Sequence, residues 1–466
     1  MGLTAAGIGS GLDVESMISQ MVALQKQPLT QLQTKASSID TKISTVGTLK
    51  SLMSTLKDSA KKLSDSSAWQ LTTASSSNTA VAIKVTGAAA PGASEISVQQ
   101  LARAQSLASA NFAVANGATS AVFGAAGNLT ITNSSDPSKT TGPIAITANM
   151  TLDQVAAAIN QKSAASGVTA SVLQDANGQR LVMRSKDSGA TNAFTVSGDS
   201  VITDALGTTG ASPSAVLQPA QNAKATVNGI AVESATNEFK KVLPGLSFTA
   251  SQVTQAGAPA VVSVVSDTEG MKKNLQTFMD AYNALNDKLS ELTKYDSESK
   301  TAGAMQGDST IVGLLSGLRG VLSGSLGGIN LSDLGIQLAK GGKLQFGTST
   351  SDKAKLESVL QDPAKLAQMF SAEGEAGKPQ TQGLAVRMYE FADKMLTFDT
   401  GLFDTKTKSL TQLKKDNEKA QDRVNDQAQL FEQRMRAQYA ALDKKMGSYS
   451  GLSAYMSQQI SQWNRG

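Results

Sequence analysis

The side chains that most often carry out chemistry are missing from this chain: its 466 residues include neither histidine nor cysteine. Imidazole acids and bases, thiolate nucleophiles, disulfides and Cys/His metal sites are therefore excluded. Three stretches remain to be tested for a cofactor or an ion. Gly7, Gly9 and Gly11 give a G-x-G-x-G spacing that lacks the third glycine position of a dinucleotide loop and follows no strand, so it reads as a flexible terminus. Gly342-Lys343 is followed by Leu344, and Gln337 stands where a phosphate loop needs its first glycine, so the pair reads as a turn. Asp175, Asn177 and Gly178 miss the spacing and distal glutamate of a calcium loop, and Asn177-Gly178 is a hairpin signal. No serine lies in a G-x-S-x-G elbow, and a serine nucleophile would need a lysine base for which no constellation is visible. The sequence predicts no catalytic residue, no cofactor and no metal.

Lysine and arginine number 42 against 38 acidic residues, and a net charge of +4 makes no case for nucleic acid. Met1 to Gly11 lacks a basic region followed by an apolar core, and no window of about 20 residues is continuously apolar. Neither a Sec signal nor membrane insertion is expected, and an exported chain of this kind must leave without a cleaved leader. The lack of cysteine fits the cytosol and the exterior equally. The length suits about three domains.

What the chain does have is apolar stripes that need partners. Leu32, Ala36, Ile39, Ile43, Val46, Leu49, Met53, Leu56, Ala60 and Leu63 alternate at four and three, with one stammer between Val46 and Leu49. Met271, Leu275, Phe278, Tyr282, Leu285, Leu289 and Leu292 follow in strict four-three alternation, predicting a helix of ~33 Å. Leu410, Leu413, Ala420, Val424, Ala428, Phe431, Met435, Leu442 and Met446 mirror the first stripe near the other end. A helix with one apolar seam cannot bury it alone, so these segments predict a coiled-coil-like bundle.

The ends carry shorter pieces. Ser10 and Asp13 resemble a capping box and place a helix start near Leu12, with Val14, Met17, Met21 and Leu24 on one face until Pro28 interrupts. After Gly447 a short amphipathic piece carries Leu452, Tyr455, Met456, Ile460 and Trp463. Between Leu63 and about Val265 the composition shifts to Ser, Thr, Ala and Gly. Strands alternate around Val81, Ile83 and Val85 and around Ile96 and Val98, a capping box stands at Thr151 and Gln154, and Asn177-Gly178 and Asn228-Gly229 mark hairpins. The fold class expected is multi-domain α+β, a helical leg formed by both chain ends with β-rich head domains inserted in the middle.

The order of parts resembles the flagellar filament-capping family, also called flagellar hook-associated protein 2. GIGSGLDVESMISQMVALQKQPL (Gly7 to Leu29) is similar to that family's opening motif, and Trp69 to Leu107, with VQQLARAQSL from Val98, to its entry into the head. RMRAQYAALDKKM (Arg434 to Met446) and Leu452 to Ile460 resemble its closing helix. NGIAVESATNEFKKVLPGLSFT (Asn228 to Thr249) and LSDLGIQLAKGGKLQF (Leu331 to Phe346) add to the likeness. Gly347 departs from it, standing where an acidic residue is expected.

The resemblance implies a secreted structural protein, not an enzyme, at the filament tip of the bacterial flagellum, exported by the type III route. It implies a homo-oligomer, typically a pentamer, that retains flagellin and promotes its folding and insertion, and a cytosolic export chaperone at the C-terminal helix. On this basis residues 1–40 with 430–466 would form mobile docking ends, and 41–73 with 268–429 the leg. Residues 74–110 with 216–267 would form one head domain and 111–215 a second. The leg would pair the first and last stripes antiparallel, with Met271 to Leu292 beside them. Leu12, Val14, Met17, Met21, Leu24, Leu452, Tyr455, Met456, Ile460 and Trp463 would dock on the filament, becoming helical as they do so. The competing readings are an extracellular adhesin-like module that binds glycan or mucin, and a filament or junction subunit.

Overall fold

The computed structural model describes residues 13–114, 120–208, 215–298, 300–322, 330–375, 378 and 381–464. In chain order the helices among them are α1 (Val14–Gln25), α2 (Gln27–Ser64), α3 (Leu152–Gln161), α4 (Ser163–Ser166), α5 (Ser200–Ala205), α6 (Thr268–Thr293), α7 (Ser309–Leu322), α8 (Thr350–Leu360), α9 (Pro363–Ser371), α10 (Leu384–Leu396) and α11 (Leu402–Trp463). Two compact units result, Met1–Trp69 with Glu269–Gly466, and Gln70–Thr268. The first unit is mostly helical and the second mostly β, as the α+β reading expects.

In the β unit, one five-stranded sheet runs in the order Thr72–Ser76, Ala260–Ser266, Gly92–Gln100, Ala223–Val227, Ile230–Ser234, all antiparallel. A three-stranded sheet of Glu238–Leu243, Leu246–Ala250 and Val81–Val85 shares its core, in which Val81, Ile96, Val98, Phe239, Phe248 and Val262 are buried. The rings of Phe239 and Phe248 stack at 4.5 Å. Asn228-Gly229 makes the predicted hairpin because both residues adopt positive φ, 49° and 81°, the backbone that a two-residue turn demands. A second core gathers Phe123, Leu129, Ile131, Leu152, Leu181 and Met183 around α3, whose capping box at Thr151 and Gln154 is fully made.

Three expectations about the helices need correction. Asp13 is itself the N-cap of α1, its carboxylate accepting from Ser16 N at 3.0 Å, so the helix starts at Val14; Ser10 and Leu12 lie outside the described residues. The C-terminal piece is not separate, because α11 runs unbroken for 62 residues through Gly447 and Gly451. Both glycines lie where a side chain would meet open space, and each lowers helix propensity by only about 1 kcal/mol, too little to break a long helix. Finally, Leu413 and Leu442, assigned to the seam, are 47% and 44% exposed. The inward row of α11 instead repeats by sevens through Phe403, Leu410, Asn417 and Val424, and Leu413 falls outside it.

The departure at Gly347 has a steric cause. A side chain there would begin 2.4 Å from the carboxyl carbon of Asp352, which already occupies that space. Asp352 is buried and accepts from Ser349 Oγ at 2.5 Å and Gln337 Nε2 at 2.8 Å, so a carboxylate from the first turn of α8 stands beside the strand end.

Candidate functional site

The stripe on α2 is covered along most of its length. Val46, Leu49, Met53, Leu56 and Ala60 are fully enclosed, Ile39 is 5% exposed, and Leu32 and Ile43 are half-buried. The helix packs along α10 and α11. Lys50 pairs with Asp404 at 2.6 Å and Asp40 with Lys414 at 2.7 Å, so residue numbers fall on one helix as they rise on the other, which makes the pair antiparallel. Leu410 is buried, and Val424, Phe431 and Met435 are half-buried. One polar residue interrupts this seam: Asn417 is 5% exposed, its Oδ1 accepts from Gln421 at 2.6 Å, and its Nδ2 has no acceptor.

On α6, Met271, Leu275, Phe278, Tyr282, Leu285 and Leu289 are all buried. The polar side chains of this helix anchor the hairpin Ile336–Phe346: Asn283 exchanges hydrogen bonds with Leu344, and Asn286 donates to Gly341 O at 3.0 Å. From α7, Arg319 donates to Asn286 Oδ1 at 2.9 Å and to Gly341 O at 2.7 Å. The Gly342-Lys343 pair is thus a structural turn. Burial pushes the Tyr282 hydroxyl up to about 12.

The terminal residues divide. Val14, assigned to docking, is 2% exposed because α1 lies on α11, and Ile18 beside it is equally enclosed. Glu15 receives Arg436 Nη1 at 2.7 Å, and that hydrogen bond holds the carboxyl below its usual range. Met21, seven residues on and on the same side as Val14, is half-buried, while farther round the helix Met17 is 37% and Leu24 61% exposed. Farther along α11, Leu452, Tyr455, Met456 and Ile460 are each 55–59% exposed and Trp463 is 87% exposed. Each is a large apolar side chain in water, on one continuous helix, after the point where α1 stops covering it.

Among the described residues no group of three or more acidic side chains could hold a metal ion. The Asp175 carboxylate is spent on its own hairpin, accepting from Arg180 Nε at 2.7 Å, Asn177 N at 2.7 Å and Asn111 Nδ2 at 3.0 Å, with Arg180 foremost in lowering its pKa. Gly7, Gly9 and Gly11 lie outside the described residues. Sequence reasoning missed two features of the helical unit, the exposed Phe398 and the unpaired guanidinium of Arg387. The turn signal Asp399-Thr400-Gly401 could have found the first; nothing local marks the second.

This arrangement of helical ends around a β-rich middle has known counterparts. Residues 10–105 match the family model for the flagellar hook-associated protein 2 N-terminus, residues 220–451 that for its C-terminus, and residues 128–187 the flagellin hook IN motif. The flagellar hook-associated protein 2 of Escherichia coli K12 is 31% identical over 98% of both chains. The chain belongs to the flagellar hook-associated protein 2 family. An A-type flagellar hook-associated protein 2 of Pseudomonas aeruginosa is 30% identical over 98% of this chain and 97% of its own. The crystal structure of the D1-D2-D3 domains of the Escherichia coli flagellar cap protein superposes with a TM-score of 0.59 at 29% identity, covering 79% of this chain and 99% of that one. This family is the structural cap of the flagellar filament, which implies a place at the filament tip. No match favours the adhesin or the filament-subunit reading. Among the described residues no helix is long and apolar enough to cross a membrane.

Proposed function

We propose that the chain closes the growing end of the filament, retains exported flagellin and gives it a sheltered place to fold and insert. The observation that carries this reading is the apolar row Leu452 to Trp463, left uncovered on a helix whose earlier turns are packed. Residues 1–40 with 430–466 serve as the docking ends, 41–73 with 268–429 as the leg, and 74–267 as two head domains. Met17, Met21, Leu24, Leu452, Tyr455, Met456, Ile460 and Trp463 meet the filament subunits, and several such side chains buried at about 1.5–3 kcal/mol each would hold a cap that must still move. The reading includes a closed homo-oligomer, a pentamer, and secretion by the flagellar export route. No covalent step enters it. In the cell a chaperone binds Asp416 to Trp463 before export, hiding the same row.

Full-length protein and a version lacking residues 1–25 and 447–466 would be compared in a cap-deficient cell. The truncated chain should be exported poorly or fail to restore filaments, while its β unit keeps its far-ultraviolet signature. Restored swimming by the truncated chain would refute the docking role. A chaperone complex that survives removal of 416–463 would refute that assignment alone.

A further inference from the structure

All the sulfur of this chain is thioether: it has 15 methionines and no cysteine. A peroxide that reaches the protein therefore meets no thiolate to consume it first, and its sulfur targets are the methionines that water can reach. Burial decides which these are. Met53, Met271 and Met388 have no surface in water, whereas Met17, Met446 at 42% and Met456 at 56% are the exposed methionines among the described residues.

These three sulfurs lie on the surfaces left open at the helical ends. On α11 the exposed residues Leu442, Met446, Tyr449, Met456, Ile460 and Trp463 follow at intervals of four, three, seven, four and three, which puts them on one face of the helix. Met446 and Met456 thus stand within the apolar row, and Met17 stands on the open side of α1. An unbranched, polarizable side chain suits a contact that must adapt and release. The same sulfur also accepts an oxygen atom. Its lone pair attacks one oxygen of hydrogen peroxide, the S–O bond forms as the O–O bond breaks, the sulfur gives up two electrons, and the other oxygen leaves as water. The product is a sulfoxide, a polar hydrogen-bond acceptor in a row that docking would bury.

We propose that Met17, Met446 and Met456 are peroxide-oxidation sites that switch the docking surface off. The switch rests on the docking role proposed above and adds a chemical control to it. Its reversal takes a thiol-dependent sulfoxide reductase, whose two thiols pass to a disulfide while the oxygen leaves as water. Without cysteine the chain cannot supply those thiols itself.

Full-length protein would be treated with dilute hydrogen peroxide, and each methionine followed by peptide mass mapping. Met17, Met446 and Met456 should convert at least about tenfold faster than Met53, Met271 and Met388, whose sulfurs wait for the core to open. Equal rates would overturn the proposal. Protein oxidised at the three positions should bind short flagellin filaments about tenfold more weakly in co-sedimentation, the loss expected when a polar group is buried without a partner. Reductases for both sulfoxide epimers should restore binding; a loss that persists after the sulfoxides are gone would overturn the switch. The triple variant Met17→Leu, Met446→Leu, Met456→Leu, whatever its starting affinity, should lose none of it on the same treatment. An equal loss in that variant would put the damage elsewhere and refute the assignment. Undiminished binding by the oxidised wild-type chain refutes the switch alone, whereas no binding by the untreated wild-type chain refutes the docking role on which it rests.

Discussion

Trp69 and Trp463 belong to the same helical unit, yet the first is fully enclosed and the second is 87% exposed. Trp69 packs on Phe370 with ring centroids 4.9 Å apart, and its Nε1 donates to Leu63 O at 3.1 Å and to Ser371 Oγ at 2.8 Å. Trp463 ends a helix whose last apolar residues touch little of their own protein. The difference is one of partners: α2 and the first half of α11 cover each other, α1 covers the next turns, and beyond them the same kind of helix continues without a neighbour among the described residues. Stability resides where the seam is filled, and the proposed docking row lies where it is empty.

The sharpest way to break this contrast is to remove the enclosed ring. Trp69→Ala should cost about 3–5 kcal/mol, through lost burial, a cavity and two unmade hydrogen bonds, read as a lower urea midpoint of the helical unit. A loss below about 1 kcal/mol would mean that this end of the leg is not the organised core it resembles.

A smaller effect is expected from the ion pair of Asp308 and Lys406 at 2.5 Å, with both side chains mostly buried. Burial raises the Asp308 carboxyl, but the Lys406 hydrogen bond and charge outweigh it with help from the Thr310 and Ile311 amides, and the carboxyl ends below its ordinary value of 3.8. Its stabilisation is therefore present above that value and is lost as pH falls through the lower, folded-state one. Asp308→Asn should lower stability at neutral pH by about 1–2 kcal/mol and flatten the acid limb of the stability curve. An unchanged acid limb would show that the pair contributes nothing.

Asn417→Leu should act in the opposite direction. Replacing a buried amide whose Nδ2 has no acceptor should stabilise the seam by about 1 kcal/mol while loosening its choice of register, because polar residues at such positions fix alignment at the expense of stability. Chemical denaturation gives the first quantity. Cysteines placed at Asp40 and Lys414, which meet in the native register, report the second by cross-linking yield.

Much of this was legible from spacing alone. The four-three stripes placed α2 and α6, and Pro28 and the Thr151 capping box marked helix boundaries because each acts within a few residues of itself. What could not be read was whatever depends on the neighbour. Val14 and Leu24 look alike on a helical wheel, and only the line of α11 decides that one is buried and the other open. Leu413 matched the four-three rule and still faces water, while Asn417 broke the rule and is inside. Gly447 suggested a stop that the flanking helix formers override. For the docking residues the sequence supplied the stripe but not its division into covered and uncovered parts.

The smallest expected effect on stability is at Trp463. Trp463→Ala should change the unfolding free energy by less than about 0.5 kcal/mol, as is usual for surface positions without a packed partner. Its fluorescence, isolated as the difference between the wild-type chain and Trp463→Phe, should be red-shifted and readily quenched by acrylamide in the free protein, in contrast to Trp69. On addition of short flagellin filaments the same signal should move to the blue and become protected, because the proposed docking would bury the ring. A Trp463 already shielded in the free chain would mean that the end of α11 has a partner within the protein. The contrast between the two tryptophans would then be one of position only, and the docking row would have to be sought on the exposed face of α1, at Met17 and Leu24.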